Sequence, residues 1–511
     1  MDEPRVFPAL GATKHGFRVW APRAREVGVR IDGRDHPLTL GDDGVFETSL
    51  TVPAGTDYVY VLDGARPLPD PCSRSQPHGI GKPSRVLDPS TFSWSDDDWN
   101  GLSIDDLVIY ELHVGTFSDA GTFGGVIERL PRLRELGVTA IEVMPIATFP
   151  GTRNWGYDGV YVYAPHPVYG GPDGFAALVD AAHRAGLGVI LDVVYNHIGP
   201  GSEAIAAYGP YFTDRHRTFW GEALDYAERG VREWAIQNAE MWVRDYHVDG
   251  LRLDAIHALY DDRDPHVLAE LADRVRAVRP RTLVISETGV GDMRPTEEWG
   301  HDAQWADEFH HLVHVLLTGE SEGYYADYRP STAELARQLA RTPAERLVIC
   351  SQNHDQVGNR ALGDRPGPDE LRIRAAALLF APQTPLLFMG EEYGERRPFQ
   401  FFTDHTDPAI AEATREGRKR EFESFGGFSG TDVPDPQDPQ TFERSKLRPV
   451  EGDEELFEYY RELLALRRRL PREASVDADE AARTLGIRRG DAKLRLDFSN
   501  RSVTFLGCSP L

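Results

Sequence analysis

Lysine is scarce in this chain of 511 residues: Lys14, Lys82, Lys419, Lys446 and Lys493 are the whole set, and the remaining positive charge is arginine, a bias that reads as codon usage and not as chemistry. Lysine and arginine together number 56 against 82 aspartates and glutamates, a formal net charge of −26. That deficit, with no basic arm or stripe to offset it, argues against nucleic acid or an anionic membrane surface as partner. It favours solubility and a neutral substrate. Cysteine is scarce too. Cys72, Cys350 and Cys508 are odd in number and far apart, so no disulfide framework is expected and a reducing compartment, the cytoplasm, is. No window of about 18 uncharged apolar residues occurs. The first residues, MDEPRVFPALGATKHG, lack a charged segment followed by an apolar one, so neither a membrane span nor secretion is expected. Repeats at solenoid periods and low-complexity tracts are missing as well.

What is present is an ordinary globular composition, 41% hydrophobic and 27% charged. The length exceeds one hydrophobic core, so two or three domains are expected, with room for a barrel of roughly 250 residues or more among them. Up to about residue 95, short alternating runs such as GFRVWAP, EVGVRID, GVFETSLTV and DYVYVLDG are separated by Gly, Pro and Asp turns, the rhythm of a small antiparallel sandwich. Apolar strands then alternate with amphipathic helices. The strand candidates are residues 107–114, 139–146, 188–196, 248–254, 282–287, 303–309, 346–353 and 385–392. Between most of them lie helical patterns, such as Gly171–Gly186 with Phe175, Leu178, Val179 and Ala182 on one face and Gly186 as the stop. Eight such repeats predict a parallel (β/α)8 barrel. An open doubly wound sheet is the alternative, weakened because no G-x-G-x-x-G follows the first strand. Past residue 395 come a turn-rich stretch, GFSGTDVPDPQDPQT, one strong helix over 454–471, and alternation for two or three strands. The expected fold class is therefore α/β, a (β/α)8 TIM barrel over residues 99–450. It is preceded by an immunoglobulin-like β-sandwich over 1–98 and followed by a linker helix and small C-terminal β domain over 451–511.

The run HVDGLRLDAIHALY (247–260) poses a problem in physical chemistry. On a strand Arg252 and Asp254 share one face, while Leu251 and Leu253 share the other. A cation and a carboxylate on a mostly apolar strand are costly unless paired, wet at a strand end, or chemically employed. In a (β/α)8 barrel, catalytic groups collect at the C-terminal strand ends. There the third strand brings Asp192, Asn196 and His197, the fourth Arg252 and Asp254, the fifth Glu287, and the seventh runs into His354 and Asp355. One aspartate at a strand end reads as a helix cap or loop salt bridge; the same feature at four strand ends weighs against that. Carboxylates at the ends of three strands, with an arginine and two histidines, suit glycosidic bond cleavage, which needs one carboxyl protonated and another ionised. Asp254 beside Arg252 is expected to stay ionised. Glu287 follows the apolar run Leu283–Ile285, whose desolvation is expected to raise its pKa and suit it to the acid role. Asp254 is thus the expected nucleophile and Glu287 the acid/base, roughly 5–5.5 Å apart if configuration is retained. Asp192 is expected to be structural, bonding the next loop. A metal is the competing use of these residues, but no H-E-x-x-H occurs, and His310 and His311, being adjacent, should face opposite ways; neither metal nor cofactor is expected. In the loop 149–171, Trp155 and Tyr157 are expected to be exposed for stacking on sugars, and Tyr161 and Tyr163 to be core.

Taken together, DVVYNH, GLRLDAIHA, VISE and QNHDQ, in this order, resemble the four sequence regions of the α-amylase superfamily of retaining glycosidases and transglycosidases. HGFRVWAP is similar to the N-terminal sandwich of its branching and debranching members, so the resemblance covers nearly the whole chain. Further phrases, among them FPGTRNWGYDGV, DAQWADEFHHLVHVLLTGESEGYYADY, QNHDQVGNRALGDR, LLFMGEEYGERRPFQFFTDH and GRKREFESFGG, are similar to one branch of it. That resemblance implies hydrolysis of the α-1,4 bond next to the terminal trehalose unit of maltooligosyl trehalose, and a maltooligosyl trehalose synthase as functional partner. It makes Asp254 the nucleophile, Glu287 the proton donor and Asp355 the transition-state stabiliser, a role the residues alone leave open. Arg252 would hold Asp254, and His197, His354 and Tyr157 would line the cleaved sugar's subsite. His257, Asp307, Glu308, His310, His311 and Gln356 match further substrate contacts, with Trp155 as a stacking residue. Related amylases bind calcium near the position of Asn196; this branch is not expected to need it. The sequence departs from the pattern after Glu287, where TGVGDMR replaces a more acidic stretch, and in its short C-terminal module. The rivals are a glycogen branching or α-1,6 debranching enzyme of the same superfamily, and a non-catalytic glucan-binding protein, which would be expected to lack one of Asp254, Glu287 and Asp355.

Overall fold

Eight short runs rich in Val, Ile and Leu close into a parallel barrel in the computed structural model, which describes residues 6–423, 433–449 and 452–507. The strands are β1 (Ile109–Leu112), β2 (Ala140–Val143), β3 (Gly188–Val193), β4 (Gly250–Leu253), β5 (Leu283–Ser286), β6 (Ala303–Trp305), β7 (Leu347–Cys350) and β8 (Thr384–Phe388). Every residue in them is buried, which is why their sequences read as continuous apolar runs and not as alternation. Each strand pairs in parallel with its sequence neighbours, and β8 closes on β1 through Leu386↔Ile109 and Phe388↔Glu111. The expected (β/α)8 barrel is present. The strands are shorter than the runs that announced them. The 303–309 run, for instance, stops at Trp305 and turns into a helix at Glu308.

The helices around the barrel include α1 (Leu130–Leu136), α2 (Gly171–Arg184), α3 (Arg229–Asp245), α4 (Val267–Val278), α5 (Glu308–Thr318), α6 (Pro368–Phe380) and α7 (Glu454–Arg467). The stop for α2 is Gly186, whose φ of +74° a side chain would strain. Helix α7 starts where Asp453 accepts hydrogen bonds from the N–H groups of Glu455 and Leu456, satisfying two otherwise orphaned donors. Arg467 and Arg489 lock this C-terminal part onto the barrel by donating to the carbonyls of Leu379, Phe380 and Ala381, at the end of α6. Among the described residues, no helix is long and apolar enough to cross a membrane.

Before the barrel stand two antiparallel four-stranded sheets, one built on Gly16–Trp20 and Val45–Thr48, the other on Val27–Ile31 and Asp57–Leu62. Trp20 packs on α3 so closely that a Cβ at Gly230 would sit 2.1 Å from its ring. Beyond α7 the chain forms a four-stranded meander where alternation had suggested two or three strands. The additional strand, Ser475–Asp479, lies at the sheet edge and is mostly exposed, so its polar sequence carries no apolar signal. Cys508, part of the turn-rich stretch after residue 395 and of GRKREFESFGG, and the 450/451 boundary fall outside the described residues.

The barrel interior is an apolar plug of Ile109, Ala140, Ile190, Leu283, Ile285, Trp305, Val348, Cys350 and Leu386. Because side chains alternate along a strand, the residue two positions after a plug residue points the same way, one layer nearer the mouth. Those positions hold Glu111, Glu142, Asp192, Glu287 and Asp307, with Arg252 two beyond Gly250.

Candidate active site

Arg252 resolves the problem posed by its own sequence. Its side chain is fully buried, and Nη1 donates to Asp192 at 2.8 and 3.0 Å and to Oδ1 of Asp254 at 2.7 Å, while Nη2 donates to Oε2 of Glu287 at 2.7 Å. The ring of Trp305 lies 4.2 Å from the guanidinium carbon. Burial opposes the charge, but Asp192 and Glu287 outweigh it and hold the arginine pKa well above its ordinary value. Such a pairing is what permits a charge in a barrel interior.

Asp254 is the first residue past β4. Its Oδ2 accepts from Asn196 Nδ2 at 2.8 Å, so each of its oxygens has one fixed donor. Ala255 follows at a φ of 39°, left-handed for a residue that is not glycine. That turn aims its N–H at Oε2 of Glu287, 2.8 Å away. Glu287, one residue past β5, therefore has one oxygen engaged by a cation and an amide, not by an apolar pocket as its preceding run suggested; Leu283 and Ile285 lie in the plug beneath it.

Asp192 corrects the expectation that it bonds the next loop. It accepts from Tyr157 Oη at 2.7 Å and from Arg252, in the wall of the site. Burial pushes its pKa up to about 7, with Arg252 pulling it down and Asp254 pushing it up. Tyr157 is half-buried and stacked on His354, with ring centres 5.0 Å apart. His197 bonds Asn196 through Nδ1, and its Nε2 is buried without a partner. Burial lowers the His197 pKa, so the neutral ring offers Nε2 as an acceptor for a hydroxyl. Asp307 stands half-buried near Glu287 and Asp355; burial first, then those two carboxylates, push it up to about 7. His257 is exposed on the turn Ile256–Ala258. Asp355 borders a cavity of about 420 Å³ lined also by Gln356, Asn359, Tyr324, Tyr325 and Glu320.

Other expected contacts are turned elsewhere. Trp155 is buried: it stacks on Phe399 at 5.2 Å and its indole N–H donates to the Gln400 carbonyl, so no face is left for a sugar. Glu308 is buried and pairs with Arg341, and His310 is spent on the Ser351 carbonyl and the Tyr325 hydroxyl. His311 faces the other way, stacked on Tyr328, and its Nδ1 has no partner. Tyr161 and Tyr163 are core.

The sequence reading missed Glu111, Glu142 and Trp220. Trp220 sits at the tip of a hairpin, Phe212–Thr218 with Gly221–Leu224, and stacks on His197 with ring centres 4.4 Å apart and planes 6° from parallel. Its neighbour Phe219 is 95% exposed. The signal available was an aromatic pair before a glycine, TFWG, between two polar strands. No group of three or more His, Cys, Asp or Glu is arranged to hold a metal ion among the described residues.

Known proteins resemble this chain over most of its length. A family model, the alpha amylase catalytic domain, matches residues 86–220. The chain is 46% identical over 499 residues to the malto-oligosyltrehalose trehalohydrolase of Deinococcus radiodurans, covering 91% of this chain and 82% of that one. It is 42% identical over 559 residues to the malto-oligosyltrehalose trehalohydrolase of Rhizobium sp. (strain M-11), covering 97% and 93%. Among solved structures, a putative alpha amylase from Salmonella typhimurium superimposes with a TM-score of 0.87 at 39% identity, covering 94% of this chain and 90% of that one.

Proposed function

This chain belongs to the malto-oligosyltrehalose trehalohydrolase family, and from that premise we propose that it hydrolyses the α-1,4-glucosidic bond adjacent to the terminal trehalose unit of maltooligosyl trehalose, releasing trehalose and a maltooligosaccharide. The observation that carries the chemistry is the sharing of one buried guanidinium by Asp254 and Glu287 at the barrel mouth. Asp254 attacks the anomeric carbon on the maltooligosyl side, and Glu287 gives a proton to the departing trehalose oxygen. The Arg252 and Ala255 hydrogen bonds at Oε2 leave Oε1 to carry that proton. Trehalose leaves first; Glu287 then takes a proton from water, which releases the maltooligosaccharide from Asp254 with retained configuration. Asp355 stabilises the oxocarbenium-like sugar between these steps. His197, His354, Tyr157 and Trp220 shape the subsite of the cleaved glucose, and His257, Asp307, His311 and Gln356 make the outer contacts.

The chain divides near residues 98 and 450 into a sandwich, the catalytic barrel and a C-terminal β module. It works in the cytoplasm, without nucleic acid, on substrate supplied by a maltooligosyl trehalose synthase. The test gives the purified protein maltotriosyl trehalose and maltopentaose in parallel and follows trehalose and new reducing ends by chromatography. Trehalose from the first with slow attack on the second supports the reading. Equal attack on both with no trehalose overturns it, as would transfer that conserves the number of reducing ends, the mark of a branching enzyme.

A further inference from the structure

One buried contact plays no part in the scheme above. Glu111, the third residue of β1, has no solvent exposure; its Oε1 lies 2.5 Å from Nδ1 of His354, and its Oε2 accepts the His354 backbone N–H at 3.0 Å. The other ring nitrogen, Nε2, lies 3.3 Å from Oδ2 of Asp355. Tyr157 stacks on one face of the ring and the edge of Trp155 meets it at 5.7 Å, so the ring has little freedom to turn. A carboxylate only accepts hydrogen bonds, and a ring with a carboxylate oxygen against each nitrogen satisfies both by carrying a proton on each.

We propose that Glu111 is a positioning residue for the reaction, which fixes the orientation of His354 and holds it as an imidazolium whose Nε2–H faces Asp355. This rests on the reading that Asp355 takes part in glycosyl transfer. His354 is surrounded by Glu111 and His113 from β1 and the residue after it, Glu142 from β2, Asp192 from β3, Arg252 from β4 and Tyr157 from the loop after β2. Burial and Arg252 oppose a second cation here, yet Asp355 and Glu111 prevail and push His354 up to about 10. Glu142 supplies no competing partner, since neither carboxylate oxygen has a hydrogen bond and burial, with Glu111 beside it, raises its pKa well above the usual range, which leaves it neutral. Glu111 thus balances the imidazolium charge on one side of the ring while the Nε2–H of His354 faces Asp355 on the other.

The experiment measures trehalose release from maltotriosyl trehalose, and the 15N signals of ring-labelled histidine, across the stable pH range for wild type, Glu111→Gln, Glu111→Asp and Asp254→Asn. Removing a carboxylate from an imidazolium at this distance lowers its pKa by about 1–3 units. Glu111→Gln should therefore move the pH at which 15N signals show the His354 imidazolium losing its proton down by that amount, with kcat falling more than KM changes, and Glu111→Asp should restore the wild-type titration profile. A Glu111→Gln titration profile that superimposes on wild type overturns the proposal. If Glu111→Gln does not fold, 15N spectra of ring-labelled histidine in the wild type decide it. With the signal assigned by its loss in His354→Gln, an imidazolium persisting above pH about 8 supports the proposal, and a neutral ring there overturns it. Full activity in Asp254→Asn would instead count against the reading of the site, which this spectrum does not depend on.

Discussion

Replacing Arg252 by methionine keeps most of the bulk of the side chain and removes the charge that three carboxylates share. In the wild type its guanidinium donates to Asp192, Asp254 and Glu287 at 2.7–3.0 Å, with no solvent exposure. Hydrogen bonds to charged groups contribute about 1.5–3 kcal/mol each, but they do not add, and breaking a buried ion cluster by deleting one partner costs about 3–5 kcal/mol. The carboxylates can reduce that cost only by taking up protons. Asp192, pushed up to about 7 by burial even with Arg252 beside it, rises further in the variant. The folded variant then binds protons that the unfolded chain, with aspartate pKa values of about 3.9, does not hold at neutral pH. Stability falls with pH wherever the folded state binds more protons, so the deficit relative to wild type grows as pH rises past about 7, where wild-type Asp192 gives up its proton and the variant's keeps it, and is larger at pH about 8 than at pH about 4–5. Urea unfolding of both proteins at those two pH values reads it directly. A deficit under about 1 kcal/mol at both, or one that is larger at acid pH, would refute the claim that Arg252 is the counter-ion of this cluster.

Tyr157→Phe removes the hydroxyl bond to Asp192 at 2.7 Å without opening a cavity, and should cost about 1.5–3 kcal/mol of transition-state stabilisation, read as kcat/KM at neutral pH. Trp220→Ala removes a ring stacked on His197 at an exposed hairpin tip; KM for maltotriosyl trehalose should rise by a few-fold, about 0.5–1.5 kcal/mol, while the urea midpoint stays put. Gly230→Ala drives a methyl to within 2.1 Å of the Trp20 ring, and should lower stability by about 1–3 kcal/mol, with N-terminal strand amides exchanging faster than those of the barrel.

The barrel was legible because each of its strands is buried on both faces, which leaves a continuous apolar run in the sequence. Its chemistry was legible in part because Asp254, Glu287 and Asp355 stand just past those runs, where polar residues break them. Trp155 shows the limit of that reasoning. Glycine, asparagine and aspartate around it suggested exposure, but Phe399 and the Gln400 carbonyl, more than 240 positions away, bury it, and local composition cannot encode such a contact. Trp220 is the converse case, since nothing near it in sequence marks the histidine it covers. The extra strand at Ser475–Asp479 was invisible for a third reason: an exposed edge strand needs no apolar residues, so its only signature is its backbone pairing.

Glu111 and Asp192 were misjudged for a reason that a different count removes. The reading weighed polar residues after the apolar runs, whereas these two lie inside strands, flanked by Tyr110 and Leu112 or by Leu191 and Val193. A strand has a period of two, so the face that fills the barrel with Ile109, Ala140, Ile190, Ile285 and Trp305 must next present Glu111, Glu142, Asp192, Glu287 and Asp307. Gly250 belongs to the same count, and leads to Arg252. Five acidic groups and one arginine on one inward-pointing set of positions, four of them buried and Glu287 and Asp307 half-buried, cannot all be ionised, so some must be neutral and some must find a second cation. Glu142, unpartnered, meets the first condition, and the Glu111–His354 pair meets the second. The charge balance of the whole layer, more than the identity of any one carboxylate, decides which of them remains free to react.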